Sequence, residues 1–324
     1  MRRSVKVTLQ VLVSGGVLAF LLWRIDLGQT VDILRDSNWG YVVASLAIVL
    51  ATTWLMAWRW WALLAARGVH ESYRWLVRMY FVSNAAGQVL PTAIGGDAVR
   101  IIEHGRRRPD VRATAAGAVL MERILGMVIT LVLVAVALVV AADQYEGVRL
   151  LVVVELACVA AVIVLGLLLF SRGLGRHLEE RLFPLGRRIG LERPLLSLYR
   201  TMHQYRNTPG VLLAVLGVTL VAQVARIVAI WLCGEAVGVD VSAAVYAILG
   251  PLLFFVQMVP FTLNGLGVRE AFFVGFLGRF DVDPEIALAA GILYYAVSIA
   301  ASLPGGLILL WRSMRPTVVR PGAP

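Results

Sequence analysis

Cysteine is nearly missing from this chain: 324 residues hold two, Cys158 and Cys233, each alone in an apolar run. That leaves no disulfide framework and no thiolate metal site. Histidine is equally sparse, and His70, His104, His177 and His203 sit in polar segments without metal-ligand spacing. No metal and no cofactor is therefore expected. Charge is scarce as well, with 15% of residues charged against 60% hydrophobic, too little for a solvated surface of ordinary size. What the chain has instead is long apolar runs, several of them long enough to cross a hydrocarbon core of about 30 Å. The expected class is an all-α polytopic membrane protein.

The net charge of +10 does not point to nucleic acid, because the arginines cluster at the ends of apolar runs, where the positive-inside rule places them. Residues 5–23, 41–58, 113–142, 148–170, 209–237 and 284–311 read as six full spans. The opening "MRRSVK" and the apolar run after it read as a retained first helix, since no small-residue cleavage site follows. Segments 1–6, 59–78, 100–112, 171–208 and 312–320 carry 23 of the 30 basic residues, whereas the opposite loops hold four arginines among many carboxylates. Both termini are then expected on the cytoplasmic side. The polar insert 171–208, with apolar residues at helical spacing, reads as amphipathic helices lying on the membrane.

Two apolar segments, 75–100 and 241–280, are interrupted. The first begins and ends among arginines and the second among carboxylates, so each is expected to enter and leave the membrane on one face. Pro91, Gly95 and Gly96 break the first, and Pro260, Gly265 and Gly267 the second, since proline lacks a backbone donor and glycine tolerates non-helical dihedrals. Non-helical backbone at membrane depth must be buried in protein or line a wet cavity. The two breaks also align without gaps. "QVLPTAIGGDAVR" ends at Arg100 and "QMVPFTLNGLGVR" at Arg269, matching Gln88 with Gln257, Pro91 with Pro260, Gly96 with Gly265 and Arg100 with Arg269. With three full spans per half, the second repeat (about 148–312) must be inverted relative to the first (about 5–142). The whole chain, 1–324, is one membrane domain in which two re-entrant helical hairpins of opposite orientation meet near the midplane, as in inverted-repeat transporters.

The motifs "LPTAIGGDAVR", "VLMERILGM" and "VPFTLNGLGVREAFF" resemble the transmembrane flippase-like domain of lysylphosphatidylglycerol synthases, over roughly residues 5–312. The resemblance implies lipid movement between leaflets of a bacterial or archaeal cytoplasmic (inner) membrane. The aminoacyl-transfer domain of the full-length synthases is missing from this sequence, so no enzymatic activity is expected, and the substrate is open among phospholipids, aminoacylated phospholipids and polyprenyl-phosphate-linked lipids.

Ionisable residues within membrane segments are costly and mark function by default. Arg100 and Arg269, at matched positions, suit a lipid phosphate through planar bidentate hydrogen bonding. The alternative is that each pairs with a carboxylate, Arg100 with Asp97 or Glu103 and Arg269 with Glu270, and locks its hairpin. Glu122 and Arg123 are about 100° apart on one helix and need separate partners; Glu122 suits an arginine of the cavity or a proton relay. Asn84, Gln88, Gln257 and Asn264 either satisfy broken backbone or bind a head group. Arg226 is expected to reach the outer interface by snorkelling. A phosphate-lipid transporter is thus weighed against a membrane-embedded enzyme, and against a non-catalytic subunit partnering a glycosyltransferase or another lipid-modifying enzyme.

Overall fold

The computed structural model describes residues 25–90, 95–140, 199–258 and 267–314, with a few isolated positions between 156 and 166. The expected first span, most of the fourth, residues 171–198 of the polar insert, and the break residues Pro91, Pro260, Asn264 and Gly265 lie outside this set. Every regular element described is helical. A short amphipathic helix, α1 (Leu27–Arg35), starts at Asp26, whose Oδ1 accepts from the backbone N–H groups of Gly28 and Gln29 at 2.8 and 3.2 Å. The first long helix, α2 (Trp39–Ala65), starts at Asn38, whose side chain accepts from Gly40 N–H at 3.0 Å. These caps satisfy donors that a helix start otherwise leaves orphaned.

Next come α3 (Tyr73–Val89), α4 (Gly95–Arg107), and α5 (Arg112–Val140), which follows a 3₁₀ turn at Pro109–Val111. The second half contributes α6 (Pro209–Ala236), α7 (Ala243–Met258), α8 (Val268–Leu277) and α9 (Pro284–Met314). Among the described residues four helices are long and apolar enough to cross a membrane: α2, the stretch from Pro109 through α5, α6 and α9. Each covers one expected span. The molecule is a multi-pass membrane protein.

The pairings follow from named contacts. Ser45 Oγ donates to Ala229 O at 2.9 Å and Arg59 Nη1 to Thr219 Oγ1 at 3.1 Å, so α2 and α6 run antiparallel in close contact. Rings of Trp75 and His104 lie 5.6 Å apart at one end of α3 and α4, while Gly96 abuts Ser83 at the other. These two helices are also antiparallel, and their polar ends come together. Two apolar cores result. One gathers Trp60, Leu63, Leu76, Met79, Val119 and Met121 from α2, α3 and α5. The other gathers Ile230, Tyr246, Leu249, Phe273, Leu293 and Val297 from α6 to α9.

The C-terminal end of the polar insert departs from the surface position expected of it. Tyr205 is fully buried in the first core and its hydroxyl donates to Leu63 O at 3.0 Å, with Met202 buried beside it. An aromatic ring with one satisfied polar atom gains more from the core than from an interface.

Candidate functional site

The two cores leave a polar seam between them. Two adjoining cavities of about 330 and about 300 Å³ occupy it, and Val49, Ser83, Asn84, Asp97 and Arg226 line both. The larger reaches Arg59, Tyr80, Arg100, Glu122 and Arg123; the smaller reaches Gln88, Gly96, Arg269, Tyr294, Ser298 and Ser302.

On the side of the larger cavity the ions form a chain. Arg100, 3% exposed, donates from Nη1 to Glu122 Oε2 at 3.0 Å and from Nη2 to Asp97 Oδ1 at 2.5 Å. Its guanidinium also stacks over the Tyr80 ring at 4.1 Å and the Trp60 ring at 5.0 Å. Glu122 takes the Tyr80 hydroxyl at 3.1 Å and lies 3.6 Å from Arg59 Nε. Asp97 uses its second oxygen for Arg123, at 2.6 Å from Nε and 2.5 Å from Nη2. The neighbours Glu122 and Arg123 thus pair with different partners, as their 100° separation requires. Burial of this kind is tolerated only because each charge is compensated, since removal of one partner strands the other in a low dielectric.

On the side of the smaller cavity the arrangement is self-contained. Arg269, 3% exposed, donates from Nε and Nη2 to Glu270 Oε1 at 3.0 and 2.5 Å and lies over the Tyr295 ring at 4.0 Å. Glu270 Oε2 accepts from Gly267 N–H at 2.6 Å, so its carboxylate caps the start of α8. Gly267 has φ of 81°, a left-handed conformation that favours glycine.

Arg100, Arg269, Asn84, Gln88, Asp97, Glu122 and Arg123 therefore all reach this seam, while Glu270 stands behind Arg269. Asn84 Nδ2 approaches Thr53 Oγ1 at 3.5 Å. Asn264 and the Gln257 side chain lie outside the described residues.

Arg226, expected to snorkel outward, lines both cavities. It sits on α6, facing both cavities, because α6 turns that side toward α2 and α5: Gln223, one turn earlier, donates to Thr130 Oγ1 at 3.0 Å.

The model of the lysylphosphatidylglycerol synthase TM region matches residues 7–306. The chain belongs to this family. A relative described as a UPF0104 membrane protein, from Methanothermobacter thermautotrophicus, is 22% identical over 299 residues, covering 87% of this chain and 88% of that protein. Membership extends across both halves of the seam, so the ion chain of the first half and the Arg269–Glu270 pair of the second both fall inside the family region.

Proposed function

We propose that this family member moves a phosphate-containing lipid between the two leaflets of the membrane. The observation that carries the reading is the charge balance of the seam. Among the described residues, Arg59, Arg100, Arg123, Arg226 and Arg269 face Asp97, Glu122 and Glu270, five cations against three anions, in a bundle that holds four helices of membrane-spanning length. A cation at membrane depth costs about 2.5–3.5 kcal/mol even on permissive insertion scales. An excess of two positive charges is supported best by an anionic ligand that visits the seam, and a lipid phosphate is the anion that reaches it from within the bilayer with its tails left in hydrocarbon.

The wider architecture belongs to the same proposal: six full spans, two re-entrant hairpins of opposite orientation, an inverted repeat, and cytoplasmic termini in a bacterial or archaeal inner membrane. The antiparallel contact of α3 with α4 supports the first hairpin, because Trp75 and His104 bring its two polar ends to one place. Cysteines placed at 74 and 106 should then label from the same side of the membrane.

Purified protein in vesicles tests the function. Fluorescent phosphatidylglycerol should exchange between leaflets faster than in empty vesicles, and the recovered lipid should keep its mass. Lipid turnover would replace this reading with an enzyme, and exchange seen only after a lipid-modifying partner is added would make the chain a subunit.

A further inference from the structure

We infer that Arg226 is the residue that takes the lipid phosphate, and that Arg100 and Arg269 hold the helices that frame it. The inference rests on the transport reading above.

The arginines of the seam differ in what they are already bound to. Arg100 spends its two terminal nitrogens on Glu122 and Asp97 and lies against the Tyr80 and Trp60 rings. Arg59 is held by Glu122 and Thr219, Arg123 by Asp97, and Arg269 by Glu270. A phosphate reaching any of these competes with a carboxylate already held in an ion pair, and weakening that pair in a low dielectric is costly. Arg226 makes no hydrogen bond and no ion pair among the described residues. It is also one of the few side chains common to both cavities. A guanidinium without a carboxylate partner among the described residues, lining both cavities, offers bidentate phosphate binding without breaking a described ion pair.

The surroundings fit a head group. Ser298 and Ser302 direct their hydroxyls to backbone carbonyls of their own helix at 2.9 and 2.7 Å, which leaves oxygen lone pairs toward the cavity, and Asn84 lies across from them. Small polar side chains of this kind leave room and accept from a polyol or an ammonium.

Arginine modification by phenylglyoxal, mapped by mass spectrometry on the folded protein in detergent, reads the inference directly. Arg226 should react faster than Arg100 and Arg269, and phosphatidylglycerol should protect it while the same concentrations of phosphatidylcholine and of inorganic phosphate protect it little. Arg226→Gln should bind phosphatidylglycerol about tenfold more weakly or worse, with Arg226→Lys intermediate and both variants eluting as wild type. Protection by inorganic phosphate alone would keep Arg226 as an anion site but remove the lipid. Leaflet exchange by the wild type, with no protection of Arg226 and unaltered Arg226→Gln, would overturn the inference and leave the transport reading standing. Absence of exchange and of protection would end both.

Discussion

The two broken segments share a sequence pattern and solve the same electrostatic problem differently. In the first, Arg100 draws on Asp97 in its own helix and on Glu122 in α5, and those carboxylates go on to Arg123 and Arg59. In the second, Arg269 is neutralised by the residue beside it, and that carboxylate also caps its own helix. Helix starts differ to match. α4 begins at Gly95 and runs through Ala98, whereas the position matching Ala98 is Gly267, a left-handed residue that cannot continue a helix, so α8 begins only at Val268. The matched arginines are therefore presented from different helical depths. The first segment is tied to α2 and α5 through charges; the second meets α9 through aromatic packing of Phe273 against Tyr294. Matched sequence positions can share an arginine and differ in the network around it.

The largest effect expected from breaking this contrast is at Glu122. Glu122→Gln leaves Arg59 without a carboxylate and Arg100 with Asp97 alone, and should lower unfolding stability in detergent by about 3–5 kcal/mol, whereas Glu270→Gln affects a single arginine and should cost less. Equal losses would mean that the chain of ions in the first segment acts as isolated pairs. The coupling can be measured next. A double-mutant cycle of Asp97→Asn with Arg123→Gln should return about 1–3 kcal/mol of interaction energy, as groups in one network do; additive losses would show that Asp97 serves Arg100 alone.

Packing gives a third comparison. A methyl added at Gly96 meets the Ser83 carbonyl and lies 2.9 Å from Ser83 Oγ, while one added at Gly275 in α8 meets nothing within 4 Å. Gly96→Ala should destabilise by about 1–3 kcal/mol and Gly275→Ala should be neutral, read by thermal unfolding. Tolerance of Gly96→Ala would loosen the α3–α4 contact on which the first hairpin depends.

The smallest effect is a pH dependence confined to the first segment. His104 is buried between Trp60 and Trp75 at the polar end of α4, outside the long membrane-length helices, and this burial holds its pKa below the ordinary histidine value. Glu71, 3.6 Å away, opposes the shift, and Arg107 and Arg108 reinforce it. The unfolded chain therefore takes up this proton first on acidification. The contribution of neutral His104 is complete above about pH 6.5 and declines as pH falls below it. His104→Gln should flatten the acid side of the stability profile, while no histidine exists in α7 or α8 to do the same.

The spans were legible because their signal is local. Four of the six expected apolar runs coincide with long helices to within a few residues at most ends, with α2 extending beyond residue 58 to Ala65 through a run of tryptophans and alanines. The candidate site was legible in part. Costly residues at fixed offsets, Asp97, Arg100, Glu122, Arg123 and Arg269, mark themselves in an apolar chain, and the 100° rule separated Glu122 from Arg123 before any partner was known. For Arg226 the sequence shows a charge within an apolar run, but not which way α6 turns it; its place on both cavities follows from helix packing.

Hydropathy and the placement of arginine were enough, without coordinates, to determine a helical membrane protein with two interrupted segments, because both act through the free energy of single segments in lipid. Partner choice is different. Whether Arg100 meets Glu122, or Arg226 lines the cavities, depends on how α2, α5 and α6 are rotated against one another, and that rotation is fixed by side-chain packing across the whole bundle. Only the tertiary structure could decide it.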